Sequence, residues 1–307
     1  MRTRSSGLLL AATGMVAVLV AGCLATGYGV PLAHAPQART SRVAPLVQTI
    51  APPEEASPRQ PAAGVSELTA HIQQATADAA AAGADLSVAV LDRATGQLVS
   101  NGERRLVGIA SVAKLFIADD LLLAHAQDKT QLSPDDRAAL DAMLRASDDN
   151  AAENFWNQRG GEAIITAVAR RYGLTSTTPP SDGRWWNTMS STSDLLRYYD
   201  MLLSGTGGLP AEQADIILGD LAESTAIGVD GYPQRFGIPD GLDAEPVAVK
   251  QGWMCCIGND WMHLSTGVIG PDRRYIMVIE SLQPSDDATA RATITQAVKT
   301  MFPGGRI

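Results

Sequence analysis

The sequence predicts an α+β fold: a five-stranded antiparallel sheet covered by helices from both chain ends, with a separate all-helical lobe. Three observations predict it. A β-branched hairpin, strands 86–91 and 97–100 around a turn at 92–96, follows the first amphipathic segment. Three more strand-like runs, 247–253, 261–269 and 275–281, gather near the other end. Between the two groups lies a long stretch of helical periodicity. Successive hairpins pair antiparallel, and the seam between a sheet lobe and a helical lobe is a natural cleft.

The 307 residues, 45% apolar and 19% charged, have an ordinary globular balance and can form a core without staples. A net charge of −9 lacks the basic footprint of a nucleic-acid binder, so no nucleic-acid partner is expected. Three cysteines are too few for a disulfide framework. Cys255, Cys256 and His263 are zinc-ligand types, but two adjacent cysteines lack the C-x-x-C spacing, and no metal or cofactor is expected.

The chain opens Met1-Arg2-Thr3-Arg4, continues as an uncharged apolar run over 8–20, and reaches Val20-Ala21-Gly22-Cys23. A positive start, an apolar stretch and small residues make an export signal over 1–22. The run is at the short edge of a membrane span, so an uncleaved anchor is the alternative. The last four residues resemble the bacterial lipobox, which implies diacylglycerol on Cys23 and attachment to the outer face of the cell membrane. Residues 23–62 carry seven of the chain's 17 prolines without apolar periodicity and read as a tether.

The folded region is expected over 63–307, with a sheet lobe at 63–110 and 240–307 and a helical lobe at 111–239. A helix is expected at 65–84, where Leu68, Ile72 and Ala75 recur on one face. After the first hairpin comes an apolar helix at 112–126. Ser133 then caps a helix that has Pro134 at its first position. Helical segments follow at 136–146, 150–158, 162–172, 193–203 and 211–221, interrupted by the Pro-Pro-Ser-Asp-Gly loop at 179–183. A helix over 286–301 ends the chain.

Three short motifs carry the chemistry. Ser111-Val112-Ala113-Lys114 opens the apolar helix, so hydroxyl and amine share one face at a helix N-terminus. Desolvation there lowers a lysine pKa and lets the amine act as a base. Ser147-Asp148-Asp149-Asn150 precedes a helix, where capping alone also explains such residues. Lys250-Gln251-Gly252 lies in an apolar strand, where an unpaired charge is disfavoured and Gly252 lets another group come close. The chain has only four lysines against 20 arginines, and two of the four stand in these motifs.

In this order the motifs resemble the S-x-x-K, S-x-N and K-T-G set of class A β-lactamases and penicillin-binding proteins. The likeness spans about 65–305, and the tether and alanine-rich domain resemble actinobacterial lipoproteins. The resemblance implies Ser111 as acyl-accepting nucleophile, Lys114 as its base, Asn150 orienting a substrate amide and Lys250 attracting a substrate carboxylate. It implies an oxyanion hole from the backbone N–H groups of Ser111 and Trp253. It also implies a monomer acting on a β-lactam or a cell-wall peptide. Gln251, Gly252, Trp185 and Trp186 are the candidate substrate contacts, although the two indoles can equally pack their own loop.

The departures are specific. Asp148 stands where the family has a relay hydroxyl two residues before Asn, and Ser147 lies three before Asn150. Gln251 replaces Thr or Ser. The 173–193 loop has no Glu for deacylation, only Asp182 and a helix-capping Asp194. A binding module that keeps the cleft without turnover is therefore the alternative. Cys255 and Cys256 are candidates for a vicinal disulfide, which needs a local turn because neighbours in a regular strand point to opposite faces.

Overall fold

A computed structural model describes residues 63–103 and 105–307. The expected leader, Cys23 and the tether lie outside the described residues. The first helix, α1, spans Ala63–Ala81. It stops three residues short of the expected end because Gly83 turns left-handed and Ala84 N–H closes on Ala79 O at 2.8 Å. Strands β1 (Asp85–Asp92) and β2 (Gln97–Ser100) form the first hairpin. A two-residue strand β3 (Val107–Gly108) and a 3₁₀ turn at Ala110–Ala113 lead into α2 (Lys114–Asp128).

Helices α3 (Pro134–Arg145), α4 (Asp149–Arg159) and α5 (Glu162–Tyr172) follow. Ser133 caps α3 as expected, accepting the Asp136 N–H at 3.1 Å. Beyond a loop come β4 (Met189–Ser190), α6 (Thr192–Ser204), α7 (Ala211–Ala222) and the short α8 (Ile238–Gly241). Ser191, not Asp194, caps α6; the Asp194 carboxylate instead accepts from Ser176 N and Thr177 Oγ1. Strands β5 (Val247–Ile257), β6 (Asp260–Ile269) and β7 (Tyr275–Gln283) and helix α9 (Asp287–Met301) complete the chain.

The α+β expectation holds. The sheet is antiparallel in the order β2-β1-β7-β6-β5, so the first hairpin meets the last strand. On one face, Ile72, Ala75 and Ala79 of α1 and Ile294, Ala297 and Val298 of α9 form an apolar layer with Val88, Val90 and Met277. The other face packs against helices, among them α6 and α7. Helix α2 is buried over Lys114–Asp119 without a break, which suits a helix surrounded by protein. Its one interior carboxylate, Asp119, is bonded by Arg171, Tyr172 and Tyr198 and so ties α2, α5 and α6 together.

Two features place the site. Strand β5 is one of the two edges of the sheet and lies against the 3₁₀ turn at Ala110–Ala113. At Gly252 a Cβ would sit 2.6 Å from Ile109 O, so only glycine permits this approach. The small β3–β4 pair and the Ile109 N–H to Thr188 O bond (2.9 Å) clip the 173–191 loop to the same turn.

Candidate active site

Ser111 and Lys114 meet because the 3₁₀ turn eclipses positions i and i+3. Lys114 Nζ lies 2.8 Å from Ser111 Oγ. Around the same nitrogen are Ser147 O (2.8 Å), Ser147 Oγ (3.0 Å) and Asp149 Oδ1 (2.5 Å). Lys250 Nζ donates to Ser147 Oγ at 2.9 Å. One hydroxyl thus bridges two lysine amines that are 0% and 1% exposed. Ser147 reaches both from a left-handed backbone, φ +57°, an uncommon geometry for serine.

Burial pushes the Lys114 amine below its ordinary value, and the Asp149 carboxylate opposes that shift. Burial, and after it the Lys114 charge, hold Lys250 well below its ordinary value. Both effects favour an uncharged amine, the form able to take a proton. The Trp185 ring packs 4.8 Å from Lys114 Nζ, and Trp185 Nε1 donates to Glu153 Oε2 at 3.2 Å. Trp186 packs edge-on against Trp185.

Ser111 opens onto a cavity of about 220 Å3 bordered also by Asp149, Asp230, Trp185, Trp186 and Trp253. Trp253 stacks flat on Tyr232 at 4.3 Å.

The second motif is displaced by one residue from its expected register. Ser147 and Asp149 face the lysine pair, not Asp148 and Asn150. Asp148 caps α4, with Oδ1 accepting from Asn150 N (2.8 Å) and Ala151 N (3.2 Å), and the Asn150 side chain is exposed in the first turn. Capping fixed the direction of both side chains, and the left-handed Ser147 just ahead aimed its own hydroxyl inward. Ser-Asp-Asp at 147–149 was the signal available in the sequence; Asp230 had none.

Gln251 does not border the cavity. Strand alternation turns it to the far side of β5, where its Nε2 donates to Gln234 O (3.1 Å) and Phe236 O (2.6 Å). Gly252 meets the chain's own 3₁₀ turn. In the 173–193 loop, Asp182 accepts from Arg184 N and Asn187 Nδ2, and neither it nor Asp194 borders the cavity. His263 is buried against Tyr232 and Asp287 while Cys255 and Cys256 are exposed, and no metal-binding group of three is present among the described residues.

No family model matches the chain. It is 65% identical, over an alignment of 315 positions covering all of both chains, to the "Putative lipoprotein LppW" of Mycobacterium tuberculosis. The chain belongs to the LppW lipoprotein family. The fold of this chain is in turn similar to a β-lactamase from Chitinophaga pinensis, with a TM-score of 0.62 and 17% identity over 76% of this chain and 98% of that one. It is similar to PBP-A as well, with a TM-score of 0.61 and 19% identity over 77% of this chain and 95% of that one. At such identities the likeness establishes a β-lactamase/transpeptidase fold for this LppW-family member.

Proposed function

We propose that this chain is a cell-envelope lipoprotein whose 63–307 domain performs acyl transfer at Ser111 and releases the acyl group slowly. The observation that carries the reading is the unbroken hydrogen-bonded path Ser111 Oγ–Lys114 Nζ–Ser147 Oγ–Lys250 Nζ, at 2.8, 3.0 and 2.9 Å. Ser111 Oγ attacks an amide carbonyl, and its proton passes to Lys114. The C–N bond breaks as a proton returns through Ser147 to the leaving nitrogen. The Ser111 and Trp253 N–H groups hold the oxyanion.

Deacylation needs a second base for water; the 173–193 loop has no Glu, and at the cavity border Asp149 is paired with Lys114 and Asp230 accepts from Tyr232 N. Asp182 and Asp194 are both committed elsewhere. The cavity border carries Asp149 and Asp230 while both lysines are buried behind it. That charge pattern suits a D-amino-acid amide bearing an ammonium group better than an anionic β-lactam. Cys23 carries the lipid in this reading, anchoring a monomer on the outer face of the membrane beside peptidoglycan. Cys23→Ala then moves the chain from the membrane fraction to the soluble one.

A second reading, a cell-wall-peptide binding module without turnover, is favoured by the Asp149–Lys114 ion pair, which works to keep Lys114 charged. Intact-mass spectrometry with a fluorophosphonate and a penicillin separates the two. A persistent adduct that disappears in Ser111→Ala supports acyl transfer. Saturable muropeptide binding with no adduct from any acylating probe supports the binding module. Turnover at ~10–10³ per second would overturn slow release.

A further inference from the structure

The adjacent cysteines sit at the only irregularity in the β5–β6 pairing. Pairing is regular from Val247↔Ile269 to Met254↔Met262 and resumes at Ile257↔Asp260, so β5 holds one extra residue there. The bulge consists of Cys255 and Cys256, and Cys256 is left-handed at φ +68°. This kink removes the strand alternation that would send the two side chains to opposite faces. Their Sγ atoms lie 2.7 Å apart, and both residues are exposed. A left-handed backbone is unfavourable for a residue other than glycine, so the bulge holds Cys256 in an uncommon conformation. The bulge directly follows Trp253 and Met254, which border the Ser111 cavity.

We propose that Cys255 and Cys256 are a redox-active pair that closes into a vicinal disulfide by exchange with a low-molecular-weight or protein disulfide. One thiolate attacks the external disulfide, forming a mixed disulfide and expelling one thiolate. The second cysteine attacks the protein-side sulfur of that bond and expels the other. The two protons lost by Cys255 and Cys256 end on the two leaving thiols, and the external disulfide is reduced by two electrons. The resulting eight-membered ring fixes the backbone of the bulge and so stiffens the Met254 side of the cavity. The proposed station outside the membrane is a compartment where disulfides persist. The pairing itself does not depend on Ser111 being a nucleophile.

The test uses the full-length chain in detergent, equilibrated with glutathione disulfide and then alkylated. Trypsin cuts after Lys250 and Arg273, so one peptide, 251–273, carries both cysteines and excludes Cys23. The expected peptide is lighter by two hydrogens and unalkylated, and takes two alkyl groups after reduction. Cys256→Ser should instead give a stable glutathione adduct on Cys255, with an unchanged melting temperature showing that it folds. Two alkylated thiols without reductant, a glutathione adduct in the unsubstituted chain, or disulfide-linked dimers would each overturn the proposal. Amide exchange over 251–257 should be at least severalfold slower in the oxidised form. Equal exchange in the two forms would overturn the coupling to the cavity.

Discussion

Asp149 opposes the burial that lowers the Lys114 pKa. Its Oδ1 lies 2.5 Å from Lys114 Nζ and raises an amine that burial lowers. Asp149→Asn removes the raising influence, so the Lys114 pKa falls and more of the amine is free at neutral pH. Ser111 labelling by a fluorophosphonate should then reach its plateau at lower pH, with a faster rate below neutrality and little change on the alkaline side. An unshifted rate profile would show that Lys114 is not the base. Ser147→Ala breaks the bridge between the lysines and removes the proton return to the leaving nitrogen, so it should slow Ser111 acylation by a penicillin by ~10²–10⁴, the usual worth of a positioned proton-transfer group. Ser111 and Lys114 were legible in the sequence because a single turn sets their spacing. Ser147 was not, since its hydroxyl depends on a left-handed backbone that sequence spacing does not reveal.

At the scale of elements, the approach of β5 to the 3₁₀ turn determines whether Lys250 reaches Ser147. Gly252→Ala would set a methyl against Ile109 O and close to Val112 Cγ2. A backbone oxygen cannot swing aside, so the strand must move. The expected loss is about 1–3 kcal/mol, read as a lower melting temperature, together with reduced Ser111 labelling. An unchanged melt would mean that the strand and turn are not in firm contact. Gln251 illustrates the same element differently. Its place in the motif suggested a substrate contact, but period-two alternation put its amide on the opposite face from Lys250. There it serves two backbone carbonyls of the 234–236 segment.

Across the whole molecule, two buried groups give opposite pH dependences. Burial raises Glu280 from its ordinary 4.5 to about 7, opposed by Arg105. Between those values the unfolded chain binds fewer protons than the folded one, so stability falls as pH rises. Burial lowers His263 from its ordinary 6.5 to about 4, opposed by Asp287. Between about 4 and 6.5 the unfolded chain binds more protons, so stability rises with pH. Each slope approaches about 1.4 kcal/mol per pH unit, and over the shared window they offset. Glu280→Gln removes the falling contribution. Relative to the unsubstituted protein, its unfolding free energy should gain on going from about pH 5 to about pH 6.5. Parallel urea titrations of both proteins at these pH values check it. Identical pH slopes would mean that Glu280 titrates normally in the folded state.

The sequence by itself determined the sheet-plus-helices class, the positions of the strands and most helices, and two of the lysines as site candidates. Those follow from local periodicity and from the cost of burying an unpaired amine in an apolar strand. Tertiary structure decided the rest. It joined β1 to β7, brought Ser147 between two lysines, set Asp149 on Lys114 and turned Gln251 away. It also bulged β5 so that two neighbouring cysteines face each other. Each of these depends on a backbone angle or a contact between residues distant in the chain, and neither is written in the spacing of residue types.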